Sequence, residues 1–415
     1  MFSSRTCRLA SILEHRHPLS DPSKPEHPIK NRPDKTKKPD VALGLRYVQA
    51  LGLANATDIV KMLRWNDLYG IKFMRLSSEM FPFASHPEHG YKLAPFASEA
   101  LAEAGRVAAE LGHRVSMHPG QFTQLGSPRP EVISASVREL AYHDEMLTLL
   151  RLPPQQDRDA VMIIHMGGTY GDKQAAVGRF KENYKKLRES IKRRLVLEND
   201  DVSWSVHDLL PVCEELNIPL VLDFHHHNIV FDSSKVREGT EDIRQYFDQI
   251  RATWTRKNIT QKMHYSEPRD GATTLRERRK HSPRVRRLPP CTPDMDLMIE
   301  AKDKEQAVFE LMMTYKLPGY EKLNSVVPYE RTDDDRVLKV QKKSDAAKKR
   351  GRQSKKSTGP AAELEEAKVV VTDKDFGMGG PENRVYWPEG FEDWLRPKRK
   401  ETNRIRSTLI LEDSE

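Results

Sequence analysis

Between about residues 44 and 330, short apolar runs alternate with longer amphipathic stretches, and this alternation limits what the chain can fold into. The runs are 71–77, 114–117, 161–165, 195–198, 219–223, 261–264 and 297–300. Each is rich in Val, Ile, Leu or Met, as expected of strands buried on both faces. The stretches between them, 96–111, 131–150, 173–193, 205–216, 241–253 and 304–315, read as helices, with Ser205 placed as an N-cap. Alternating strand and helix signals imply a parallel sheet. Over roughly 290 residues they fit a TIM (β/α)₈-type barrel, an α/β fold, better than an open sheet. The count is seven strands, not eight. Residues 55–69 read as a helix ahead of the first visible strand, and residues 1–43 offer no candidate for another.

Composition sets the flanks. Residues 1–43 read as an unstructured segment, because 21–40 is rich in Pro, Lys and Asp without apolar period. Residues 44–330 are the barrel domain. Residues 331–415 read as a basic, largely disordered tail. Within it, 339–356 holds nine Lys or Arg against one acid, Asp345, a composition that fits a nuclear import signal or a phosphate contact. A patch at 377–394, with Met378, Tyr386, Trp387, Phe391 and Trp394, could dock on the barrel surface. The first residues, with Arg5 and Arg8 before the first acid at Glu14, faintly resemble a mitochondrial presequence. The nucleus is the expected compartment, with the mitochondrion as a second. Cys7, Cys213 and Cys291 form no CxxC pair and no disulfide framework. No apolar run approaches the ~20 residues of a membrane helix, so no membrane partner is expected. The chain carries 69 Lys+Arg against 61 Asp+Glu, a net +8, which suits an anionic partner such as nucleic acid.

The chemistry collects at the strand ends. Successive runs finish in His118, His165, Glu198, Asp223, His264 and Glu300. In a barrel that rim is where catalytic residues stand. Any one of them alone would more often be an ordinary satisfied residue. Six together would repel or remain unsatisfied without a cation. Mixed His and carboxylate ligation suits Zn²⁺ or Mn²⁺, and the number of ligands suits two or three ions sharing bridging carboxylates. Such sites serve phosphoryl displacement. In the run 225–227, Asp223 and His226 could turn onto one metal, while His225 or His227 would be solvent-facing or outside the ligand set. Asn199 and Asp200 could orient Glu198. Lys262, buried beside metals, should be neutral or modified. The loop 276–287 carries seven Lys or Arg, including Arg278 and Arg279, and reads as a phosphate-backbone clamp, with His281 inside it as a further ligand. Gln121 and Phe122 pair an amide with an apolar ring and could wedge between base steps.

At these residues the sequence resembles the UV damage endonucleases of fungal type, relatives of the endonuclease IV-type barrels. The resemblance rests on Met62-Leu63-Arg64-Trp65-Asn66, Arg75-Leu76-Ser77-Ser78, His118-Pro119-Gly120-Gln121, Leu197-Glu198-Asn199, 223–226, Lys262-Met263-His264, 278–283 and 293–302. It implies a hydrolase with up to three divalent metals, usually manganese, with zinc or magnesium as alternatives; a monomer is the expected state. It implies nicking of double-stranded DNA 5′ of cyclobutane dimers and 6-4 photoproducts, which starts excision repair. The implied metal ligands are His118, His165, Glu198, Asp223, His226, His264, His281 and Glu300. Glu198, Lys262 and His264 are the implied catalytic centre, Lys262 matching a lysine that is carboxylated in the family. Gln121 and Phe122 match the pair that probes the duplex, with Arg278 and Arg279 as further DNA contacts. Family members open the barrel with an Arg-Leu-Gly-type strand that has no match here, so the chain is expected to lack its first strand. Two other readings follow. One is an abasic-site endonuclease or sugar isomerase on the same barrel, although an isomerase has no use for the basic loop. The other is a non-catalytic damage-binding relative.

Overall fold

Seven parallel strands stand where the apolar runs stand, in a computed structural model that describes residues 5–18, 33–239, 241–269, 271–292 and 294–323. They are β1 (Phe73–Leu76), β2 (Arg114–Met117), β3 (Met162–His165), β4 (Leu195–Glu198), β5 (Leu220–Val221), β6 (Lys262–Tyr265) and β7 (Asp296–Ile299). β1 to β5 are hydrogen-bonded in chain order, and β6 pairs with β7. A parallel bridge between Asp223 and His264 continues the order from β5 to β6, with the His264 N–H donating to the Leu222 carbonyl at 2.9 Å.

Parallel strands need crossover connections, and helices supply them. In chain order the helices are α1 (Ala10–Leu13), α2 (Val41–Leu68), α3 (Ala94–Glu110), α4 (Pro130–Leu149), α5 (Pro154–Asp159), α6 (Lys173–Lys185), α7 (Glu189–Arg194), α8 (Val206–Leu216), α9 (Phe224–His227), α10 (Phe247–Thr255), α11 (Leu275–Arg278) and α12 (Glu305–Tyr315). Leu101 and Val107 of α3, Leu140 and Met146 of α4, Phe180 of α6, Leu209 of α8 and Trp254 of α10 are all buried in the same core as Ile163, Val196 and Leu220 of the strands. Strands covered on one side by helices and on the other by the lumen read as continuous apolar runs. Ser205 caps α8 as its sequence position suggests, in a reciprocal box with Asp208.

Four features differ from the sequence reading. Residues 1–43 are not wholly irregular: α1 forms there, and Ile12 is fully buried against Gly44 of α2, where a Cβ would stand 2.4 Å from the Ile12 carbonyl oxygen. Asn55 of α2 also clamps the backbone of Arg5, accepting from its N–H at 2.8 Å and donating to its carbonyl at 3.1 Å. α2 starts at Val41 rather than near residue 55. The stretch 173–193 breaks into α6 and α7, because Leu187 turns into the core and Arg188 is extended. The stretch 241–253 opens with a 3₁₀ turn, Asp242–Tyr246, ahead of α10. The tail 331–415, with its basic clusters and aromatic patch, lies outside the described residues.

Among the described residues no strand precedes α2. β1 and β2 meet the β7 end of the arc through side chains. Arg75 Nη1 lies 2.5 Å from Glu300 Oε1 just beyond β7, and Arg114 Nη1 lies 2.8 Å from Asp296 Oδ2. Side chains alternate along a strand. Arg114, Lys262 and Asp296 therefore share their strands' parity with His118, His264 and Glu300, Arg75 lies on the same face opposite Ser116 of β2, and together they give the barrel a charged interior.

Candidate metal centre

Each ligand type is delivered by register. His165 stands opposite Glu198 in the β3–β4 pairing, so their side chains share one face. Asp223 stands two residues beyond β5 and is the N-cap of α9, its Oδ1 accepting the His226 N–H at 2.9 Å. That one-turn helix swings His226 back over the rim, and His226 Nδ1 lies 3.7 Å from Asp223 Oδ2. His264 ends the lumen-facing row of β6.

Glu198 is the hub. Its Oε2 faces His118 Nε2 at 3.1 Å and His165 Nε2 at 3.9 Å. Its Oε1 faces His264 Nδ1 at 2.7 Å and His226 Nδ1 at 3.7 Å. Two ligand groups result, His118–His165–Glu198 and Glu198–Asp223–His264, each with its donor atoms within 4.8 Å of one another. Glu300 Oε1 lies 3.7 Å from His264 Nδ1. His281 sits beyond it, its Nδ1 at 2.9 Å from the Glu300 carbonyl. All eight ligand positions expected from the sequence thus gather at one rim.

The arrangement suits cations on its own terms. His118 Nδ1 stands 3.0 Å from the Pro119 carbonyl. A proton donated from Nδ1 to a carbonyl leaves Nε2 as a lone pair, the usual set-up of a metal-binding imidazole. For His118 that lone pair would face the Glu198 carboxylate at 3.1 Å, and only a proton or a cation reconciles the two. Asp223 Oδ2 is buried with no hydrogen-bond partner. The residues present therefore fit divalent ions.

Charge follows the same geometry. Burial pushes Asp223 up to about 7, against the pull of His226. Burial would depress His226, but the Asp223 and Glu198 carboxylates outweigh it and raise it to about 9. Burial opposes ionisation of Glu198, yet the His264, His165 and His118 rings hold it well below the usual carboxylate range. Glu300 is likewise brought down to about 2, with Arg75 overcoming burial. Burial lowers Lys262 to about 7 and His264 to about 4. Lys262 Nζ lies 2.6 Å from His264 Nε2, so the lysine reaches the centre through that ring.

Some side chains lie where the sequence did not place them. Asn199 does not orient Glu198: its amide makes paired hydrogen bonds, of 2.9 and 2.8 Å, with the backbone of Asp223. Asp200 caps the following loop by accepting from the N–H groups of Val202, Ser203 and Trp204. His225 and His227 are buried rather than solvent-facing, and His225 packs edge-on against His281 at 5.0 Å. Arg284 of the basic loop is buried, with its Nε 3.1 Å from Glu310. Arg278 donates to the Asn228 carbonyl at 2.6 Å and pairs with Glu238. Arg279 donates to the Asp201 carbonyl at 2.8 Å. Arg75, which neutralises Glu300, was missed because nothing in its sequence neighbourhood points to β7.

Gln121 and Phe122 occupy the two central positions of a turn closed by the Thr123 N–H on the Gly120 carbonyl at 2.9 Å. Both point outward, and Phe122 is 78% exposed. An aromatic ring so exposed beside a ligand cluster is not core.

Fold and site together define an α/β-barrel protein whose rim carries a ligand set for divalent cations. The family model for the UV-endonuclease UvdE matches residues 1–331. The chain belongs to this family. It is 63% identical, over its whole length, to the UV-damage endonuclease of Neurospora crassa, and 52% identical over 76% of its length to that of Schizosaccharomyces pombe. It spans 65% of the first relative and 48% of the second. The crystal structure of SacUVDE superimposes with a TM-score of 0.55 at 28% identity, covering 66% of this chain and 89% of that one.

Proposed function

We propose that this chain is a metal-dependent endonuclease that nicks the phosphodiester backbone of double-stranded DNA 5′ of UV photoproducts, cyclobutane dimers and 6-4 products, and so starts excision repair. The observation that carries this reading is Glu198, one carboxylate whose two oxygens face two different imidazole pairs. That is the disposition of a carboxylate shared between ions. His118, His165, Glu198, Asp223, His226, His264, His281 and Glu300 would hold two or three of them, manganese being the proposed metal. Divalent ions bound there would lower the pKa of an attacking water and neutralise charge on the phosphate. The chain's own residues do the rest. Asn199 and the cap of α9 fix Asp223 and His226. Lys262, lowered to about 7 by burial and so partly deprotonated at neutral pH, is open to the carboxylation that the family resemblance implies. Gln121 and Phe122 stand at the rim and enter the duplex where stacking is already weakened.

The test uses irradiated supercoiled plasmid with manganese and with EDTA, then a defined dimer duplex against a defined abasic duplex. Chelator-sensitive nicking with preference for the dimer is the expected result. Preference for the abasic site would replace the substrate, and binding without nicking would replace the activity.

A further inference from the structure

The loop carrying Gln121 and Phe122 is braced from outside. Gln124 donates from Nε2 to the Gln121 carbonyl at 3.2 Å, and its Oε1 accepts from the Tyr170 hydroxyl. Tyr170 belongs to the loop between β3 and α6, has left-handed backbone (φ 52°) and lays its ring over Gly168. Gln124 itself lies flat on Gly167, where a Cβ would meet its Cγ at 2.9 Å. From α6, Arg179 donates to the Gly126 carbonyl at 2.8 Å and holds its guanidinium 5.8 Å from the centre of the Tyr170 ring. Asn183 donates to the Leu125 carbonyl at 2.9 Å. Trp204, buried in the loop after β4, donates to the Gly167 carbonyl. Three consecutive rim loops are therefore tied in series, and the last tie ends on the peptide between Gln121 and Phe122.

An exposed ring on a two-residue turn has no packing of its own to hold its direction. Insertion into a duplex costs unstacking energy of a few kcal/mol per step, so discrimination requires the ring to be aimed before contact. Mobility would add an ordering cost to every encounter. From this geometry we infer that Tyr170 and Gln124 form a positioning strut, which fixes the aim of Gln121 and Phe122 and thereby sets lesion discrimination without touching the reacting phosphate. This rests on the endonuclease reading for its functional half, while the mechanical half stands alone.

The test is made on the full chain with Tyr170→Phe, Gln124→Ala, Phe122→Ala and the double variant Tyr170→Phe/Phe122→Ala. Tyr170→Phe keeps the ring on Gly168 and under Arg179 and removes only the hydroxyl. Amide hydrogen exchange of the segment 120–124 should quicken about fivefold in Tyr170→Phe and Gln124→Ala, the loss of roughly one net hydrogen bond, with exchange in α6 and α8 unchanged. On dimer duplex, KM should rise by a similar factor with kcat held, so preference over undamaged duplex falls. In the Phe122→Ala background, Tyr170→Phe should change discrimination no further. Unaltered exchange at 120–124 overturns the strut whatever the DNA results. An additive loss in the double variant also overturns it, since Tyr170 would then be touching DNA directly. A parent chain that quickens on losing Tyr170 but nicks no irradiated DNA would fail the endonuclease reading alone.

Discussion

Glu198 is 1% exposed and faces four imidazoles, and its charge is what makes the centre a ligand set. Glu198→Gln keeps the volume and one carbonyl oxygen but offers an amide where a shared carboxylate is needed. Nicking of irradiated plasmid should fall at least about 100-fold, beyond the 10- to 100-fold typical of losing a mere outer-shell partner. Circular dichroism should remain unchanged, and near-parental nicking would remove Glu198 from the centre. Phe122 makes the opposite case. At 78% exposure its replacement by Ala should shift stability by no more than about 0.5 kcal/mol. Affinity for dimer duplex should nevertheless fall towards that for undamaged duplex, because a lesion lowers the deformation cost that only an inserting ring exploits. Full preference in Phe122→Ala would place damage sensing elsewhere. The strand-end ligands were legible because each closes an apolar run at one parity. Asn199 was misread, and the partners of Arg75 and His225 were not foreseen. Their roles depend on partners 24, 225 and 56 positions away, and no local spacing carries that information.

At the scale of elements, every strand lies where its apolar run lies, because burial on both faces leaves a local mark. The short helices left none. α9 and α11 have four residues each and owe their existence to caps, Asp223 for one and the Thr274–Glu277 box for the other. α1 exists through its packing on Gly44 of α2. On the proposed function the α11 cap bears on DNA binding, since it presents Arg278 and Arg279 on the rim with both guanidiniums already engaged by Glu238 and Asp201. A phosphate must displace these carboxylates. Each contact so formed adds about 0.9 to the log–log salt slope of duplex binding. Replacing Arg278 and Arg279 by Ala should flatten the slope on damaged and undamaged duplex alike, and an unchanged slope would make α11 a bystander. Glu238→Gln should act the other way, tightening low-salt binding several-fold by releasing Arg278 from its resident acid, without altering lesion preference.

For the molecule as a whole, the two ends of the barrel answer to different variables. The rim concentrates buried acids and imidazoles that cations would reconcile, so ligand binding there is also folding energy. Manganese at 100 times its dissociation constant should add about 2.7 kcal/mol, several degrees of melting temperature. EDTA should remove that increment from the parent chain but not from Glu198→Gln. The opposite end answers to pH through His113, which precedes β2 and is fully buried. Its Nε2 faces the Asn66 amide nitrogen at 3.1 Å, which can only donate, and its Nδ1 stands 2.8 Å from the Arg114 carbonyl, which can only accept. The ring is thus held as the neutral Nδ1–H tautomer, and burial lowers it to about 4 from an ordinary 6.5. The unfolded chain takes up this proton near pH 6.5 and the folded chain only near pH 4, so in that window unfolding binds a proton and acid favours it. The stability conferred by the neutral ring is complete above pH 6.5 and fades as pH falls towards 4, a total of about 3 kcal/mol at 1.36 kcal/mol per pKa unit. Urea unfolding of the parent chain and of His113→Gln at pH 7 and at pH 5 isolates this group, since the rim residues titrate alike in both. The parent should lose about 2 kcal/mol relative to the variant over that interval. Parallel pH dependences would mean that His113 already carries its proton in the folded chain, and that the hydrogen bonds to Asn66 and Arg114 do not hold it neutral.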